Sequence, residues 1–203
     1  MPNPALRLKI LQVGEPVLRQ RARPLQAEEI RSREIQDLIE HLRETLRDAP
    51  GVGLAAPQVG LPLQLAVIED RAEYQTAKLS PEELAARERV PVPFHVIINP
   101  EILAYSEDTV TFHEGCLSLT GFLAKVERAR SVRVACLDHR GQPQTLDAKG
   151  WYARILQHEI DHLHGRLYLD RMDARSFSTV DNYARYRDAL NTLDPASQHK
   201  DPP

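Results

Sequence analysis

The sequence predicts an α+β fold, with mixed or antiparallel strands packed around one central helix. Two segments, Glu28–Gly51 and Gly150–Gly165, repeat apolar residues at helical spacing. Between them lie short runs rich in β-branched residues or alternating in polarity, which is strand behaviour. No repeat and no linker divides the 203 residues, so a single domain spanning 1–203 is expected.

In the first segment Ile35, Leu38, Ile39, Leu42 and Leu46 form one apolar stripe, and Pro50 and Gly51 end the helix. Leu63 to Glu69, Phe94 to Asn99 and Ser131 to Asp138 read as strands. The charged, proline-bounded stretch from Asp70 to Pro93 is an insert, and its Ser80-Pro81-Glu82-Glu83 predicts the capped start of a short surface helix. "TVTFHEGCLSLTG" (109–121) extends and then turns, and the polar "DHRGQPQ" (138–144) predicts a hairpin turn at Gly141. The second helical segment presents Ile155, Leu156, Ile160 and Leu163. A third helix is expected from Ser178 to Leu190, followed by a flexible tail over 194–203.

Composition excludes several classes. Hydrophobic residues make up 42% and charged residues 27%, with a net charge of −3, which argues against general nucleic-acid binding. A local basic patch for transient docking on a ribosome remains compatible. No run is long and apolar enough to span a bilayer, and Arg7 and Lys9 break up the apolar start, so neither a membrane partner nor a signal peptide is expected. The two cysteines then read as thiols in a reduced, cytoplasmic setting.

Chemistry concentrates in "QHEIDHLHG" (157–165). His158, Glu159 and His162 form H-E-x-x-H, and two imidazoles four residues apart on a helix can converge on one ion. Glu159 stands where a general base for a water is needed. Two ligands are too few, so a third must come from elsewhere. The metzincin histidine is absent, since Tyr168 stands at its position, and no glutamate follows Glu159. Asp170 and Asp173 follow the helix too soon to reach back readily. Cys116 is the better donor: it sits behind Gly115, where a strand breaks into a turn, and two imidazoles with one thiolate make a sound tetrahedral set with one open place. Cys136, in phase with Val132 and Val134, reads as core.

"GVGLAAPQVG" (51–60), "EGCLS" (114–118) and "QHEIDHLHG", in this order, resemble the three signature motifs of peptide deformylases, and the likeness extends to "VIINP" (96–100) and "GWYARILQHE". That resemblance implies a metallohydrolase that removes the formyl group from formyl-methionyl nascent peptides, releasing formate. It implies Cys116, His158 and His162 as metal ligands, with Fe(2+) as the ion and Zn(2+), Ni(2+) or Co(2+) as substitutes. By the same resemblance Glu159 handles the proton of the attacking water, while the Gln58 amide and the Leu117 backbone N–H stabilise charge on the formyl oxygen. Val52, Gly53 and Gly115 would lie against the peptide, and Trp151 and Arg154 would line the pocket for the methionine side chain. Glu114 is either a buried partner of Arg128 or Arg130, or a contact for substrate backbone. The rival readings are an HExxH zinc endopeptidase and a metal-stabilised binding module.

Overall fold

The apolar-periodic segment before residue 50 forms two helices, α1 (Ala27–Ile30) and α2 (Arg33–Asp48), where the spacing alone predicts one. Ser32 divides them. Its backbone is extended and its hydroxyl accepts from Ile35 N at 3.3 Å, so the serine caps a new helix instead of continuing the old one. Helix α2 then buries Ile35, Ile39, Leu42 and Leu46 on one face.

This computed structural model describes residues 6–76 and 80–192; the tail expected over 194–203 lies outside them. After α2 come β1 (Gly53–Ala55), β2 (Leu65–Asp70), α3 (Ala72–Thr76) and α4 (Pro81–Ala86). Then follow β3 (Val92–Tyr105), β4 (Thr109–Cys116), β5 (Leu119–Ala129), β6 (Ser131–Leu137) and β7 (Pro143–Lys149). Helix α5 (Gly150–Leu163), strand β8 (Ser178–Thr179) and helix α6 (Val180–Thr192) complete the described chain.

The strands form two sheets, ordered β1-β2-β3-β6-β7 and β4-β5-β8, and every ladder between named strands is antiparallel. The fold is therefore α+β, with antiparallel sheets and few helices. Strand β2 is buried along its whole length, as its unbroken "LAVI" run requires. Helix α5 packs against β1, β2, β5, β6 and β7, and buries Ile155, Leu156, Ile160 and Leu163. Cys136 lies in the same core, and its thiol is pushed up to about 11 by burial. Among the described residues no helix is long and apolar enough to cross a membrane.

The insert is tied down at both ends. Ser80 caps α4, with its hydroxyl accepting from Glu83 N at 3.2 Å. Arg89 makes a bidentate pair with buried Asp70 at 2.8 and 2.9 Å, and Glu88 accepts from Arg130 and Lys149. Gly150, at the start of α5, has φ +59°, and a Cβ there would meet Glu88 Cβ at 2.5 Å. Only glycine lets the insert close on the first turn of α5.

Candidate metal centre

Helix α5 carries His158 and His162 on one face, with ring centroids 5.0 Å apart, and the β4–β5 turn brings Cys116 to them. Cys116 Sγ lies 3.3 Å from His162 Nε2, and the three ligand atoms all fall within 4.8 Å of one another. Among the described residues this is the one such group of three. The aspartates that follow the helix turn elsewhere: Asp170 accepts from Arg19, and Asp173 caps Arg175 N.

The surroundings fit a cation. Glu114 Oε2 lies 3.0 Å from His158 Nδ1 and accepts from it, a contact that in metal sites orients the ring so that Nε2 faces the ion. Burial alone would lower the basicity of His158, but the Cys116 sulfur and the Glu114 carboxylate outweigh it and raise the group well above the usual imidazole value. Burial and the neighbouring His158 hold His162 well below that value, so it stays neutral and ready to ligate. The ionised Glu114 carboxylate beside His158 thus favours a positive charge at this point. His162 Nδ1 and Glu159 Oε2 are buried and hydrogen-bond to no described residue.

Glu114 is the buried partner of Arg128. Arg128 Nε and Nη2 donate to its two oxygens at 2.7 and 2.9 Å, while Arg130 pairs with Glu88 instead. Arg128 Nη1 also donates to Asp161 at 2.6 Å, and Arg171 closes on Asp161 from outside. Burial opposes the ionised form of Glu114, yet Arg128 and His158 hold its carboxyl well below the usual range. Asp161 is lowered in the same way by Arg171 and Arg128, against its own burial.

A cleft of about 590 Å³ reaches Cys116 and His158, and Val52, Gly53, Gln58, Gly115, Leu117 and Glu159 line it, with His162 buried behind. Glu159 is 3% exposed, and burial pushes its carboxyl up to about 7. A Cβ on Gly53 would land on Glu159 Oε1, so the close approach that the glycine allows is made by this side chain. Gln58 Oε1 accepts from Ala55 N at 2.8 Å, which aims its Nε2 at Ser118 Oγ, 3.1 Å away, and at Cys116 Sγ, 3.6 Å away.

Two pocket candidates have further attachments. Arg154 lines the cleft, but its guanidinium donates to Glu114 Oε1 at 2.6 Å and to the Val126 and Val110 carbonyls at 2.9 and 2.6 Å. The same guanidinium also stacks over Phe112 and Trp151. Trp151 lies at the cleft against three guanidinium groups, those of Arg87, Arg89 and Arg154, at 4.9, 5.3 and 5.8 Å. Ser118, 0% exposed and a hydrogen-bond partner of Gln58, was not singled out by sequence reasoning. Its only signal was its place two residues after Cys116.

A family model described as polypeptide deformylase matches residues 7–178. The chain is 48% identical over 173 residues to the chloroplastic peptide deformylase 1A of Solanum lycopersicum, covering 85% of this chain and 62% of that one. Identity is 47% to peptide deformylase 3 of Streptomyces avermitilis, with 85% and 74% covered, and 41% to the mitochondrial peptide deformylase of Homo sapiens, with 84% and 70% covered. The chain spans 62% and 64% of the length of two plant relatives. Among solved structures, a class I type b peptide deformylase of Acinetobacter baumannii bound to Met-Ala-Ser aligns with a TM-score of 0.73 at 31% identity, over 83% of this chain and 99% of that one. A plant peptide deformylase aligns at 0.70 and 30% identity, over 95% and 90%. A family match over most of the sequence, joined by relatives of this similarity, means that the chain belongs to the peptide deformylase family.

Proposed function

We propose that this chain is a catalytic domain that removes the N-terminal formyl group from newly made formyl-methionyl peptides, releasing formate. The observation that carries the reading is the gathering of Cys116, His158 and His162 within 4.8 Å of one another, at a cleft that Cys116, His158 and Glu159 line. Those three residues would hold the metal, Fe(2+) by preference with Zn(2+), Ni(2+) or Co(2+) as substitutes; the sulfur and imidazole donors suit all four. An ion held there would supply Lewis acidity, lowering the pKa of a water towards neutrality and favouring charge on the formyl oxygen.

The protein's own groups supply the rest. A water that attacks the formyl carbon must lose a proton, and Glu159 takes it and later returns it to the departing amine nitrogen. A carboxyl pushed up to about 7 by burial is matched to both halves of that task near neutral pH. Charge that develops on the formyl oxygen is met by the Gln58 Nε2–H and the Leu117 backbone N–H, each worth roughly 3 to 4 kcal/mol in a transition state. Gln58 has little room to reorient, since its own oxygen is held by Ala55 N. The substrate backbone lies along Val52, Gly53 and Gly115, and the methionine side chain runs towards Trp151. Arg154 shapes that pocket from its wall through Glu114 and Trp151. Helix α5 is the element around which the site is organised. We place the activity in the cytoplasm, where formylated chains are met as they leave the ribosome.

Anaerobically purified protein, assayed on formyl-Met-Ala-Ser with metal analysis of the same sample, tests the proposal. Formate release that follows metal content is expected. Cleavage of internal bonds in unformylated peptides, with no formate, would assign the chain to the endopeptidase reading.

A further inference from the structure

The segment before the first helix touches both motif loops. Leu11 N donates to the Gln58 carbonyl at 2.8 Å, and Val13 N donates to the Ser118 carbonyl at 2.7 Å. Between them, Gln12 uses both ends of its side-chain amide: Nε2 donates to the Leu117 carbonyl at 2.9 Å, and Oε1 accepts from Thr120 N at 3.2 Å. The residue as a whole is exposed and lines the cleft. An exposed glutamine has no need of ordered partners, yet this one spans the turn that carries Leu117 and Ser118.

The carbonyl that Gln12 holds belongs to the Leu117–Ser118 peptide. The N–H of that same peptide, Ser118 N, donates to Cys116 Sγ at 3.4 Å. A trans peptide is planar, and its C=O and N–H point in opposite directions. Fixing the carbonyl at one end therefore aims the N–H at the sulfur on the other. We propose that Gln12 is a positioning residue: by holding the Leu117 carbonyl it sets the hydrogen bond received by the Cys116 sulfur, and so tunes the thiolate as a ligand. Thr120 Oγ1 gives the same carbonyl a second, longer bond at 3.3 Å, so Gln12 is the stronger of two holds. Hydrogen bonds to a ligating sulfur alter its donor strength, and changes in such outer contacts move metal affinity or activity by about tenfold or more.

The inference rests on the reading of Cys116 as a ligand, and its test separates the two. The Co(2+)-loaded chain is compared with Gln12→Glu and Gln12→Ala. Glutamate keeps the length of the side chain and the acceptor for Thr120 N, but removes the donor to Leu117 O. Three quantities are read: the sulfur-to-cobalt charge-transfer band, the rate of cobalt release to a chelator, and kcat and KM for formate release. Both variants are expected to shift the band, release cobalt about tenfold faster and lower kcat, with KM moved less than about twofold. A band and a release rate unchanged in both variants would overturn the positioning role, whether or not thermal stability falls. A rise in KM alone, with the band unmoved, would overturn it too, by making Gln12 a substrate contact. If the unsubstituted chain shows the band but yields no formate, the proposed function fails, while band and release rate still decide the role of Gln12.

Discussion

Glu159 and Gly53 interlock: the carboxylate occupies the space that a side chain at residue 53 would take. Gly53→Ala must therefore displace Glu159 or push β1 away from α5. Formate release is expected to fall by about a hundredfold or more, the scale of a lost general base, with bound metal unchanged. Glu159→Gln should show the same pattern, since it touches no ligand. Metal analysis beside a formate assay checks both, and loss of the metal in either variant would refute the separation of roles. The grouping of Cys116, His158 and His162 was legible because H-E-x-x-H places two of them on one helix face and elimination leaves Cys116 as the third donor; the structure brings the three together. Gly53 was legible only as a close approach, and that its neighbour would be Glu159 depends on how β1 meets α5.

The elements of the site are held together by charge as well as by packing. Arg128 on β5 binds Glu114 on β4 and Asp161 on α5, all three nearly excluded from water. Arg128→Met would leave two buried carboxylates short of their partner and should cost about 3 to 5 kcal/mol, read from the urea midpoint. A change below about 1 kcal/mol would mean that water or Arg171 and Arg154 replace it. Sequence left Arg128 and Arg130 equally open as partners of Glu114. Alternation puts both on one face and does not separate them. The end of β5 at Ala129 does, since Arg128 lies within the strand and faces inward while Arg130 lies beyond it and meets Glu88 on the insert. Ser32 is a like case. Helical periodicity runs through it unbroken, and only its hydroxyl bond to Ile35 N reveals the division into α1 and α2.

Across the whole molecule, arginines pair with carboxylates around the periphery, and these pairs set its response to acid. Arg23 holds Glu29 at about 2, Arg130 and Lys149 hold Glu88 at about 2, and Arg47 lowers Glu69. In the unfolded chain the same glutamates take up protons at about 4.3. Their stabilisation is complete above that value and fades as pH falls towards 2, because the unfolded state then binds protons first. Urea midpoints at pH 7, 5, 4 and 3 should be level down to about pH 5 and fall steeply below it. A midpoint still level at pH 3 would contradict the assigned pairs. At this scale the class of fold was legible from periodicity. The order of strands in the two sheets was not, because registers are set by contacts between residues far apart in the chain.

X-ray absorption at the metal edge of the Zn(2+)-loaded chain tests the ligand set most directly. One sulfur at about 2.3 Å and two imidazole nitrogens at about 2.0 to 2.1 Å are predicted, with the sulfur lost in Cys116→Ala. A spectrum without sulfur in the unsubstituted chain, or one unaltered by Cys116→Ala, would contradict the account.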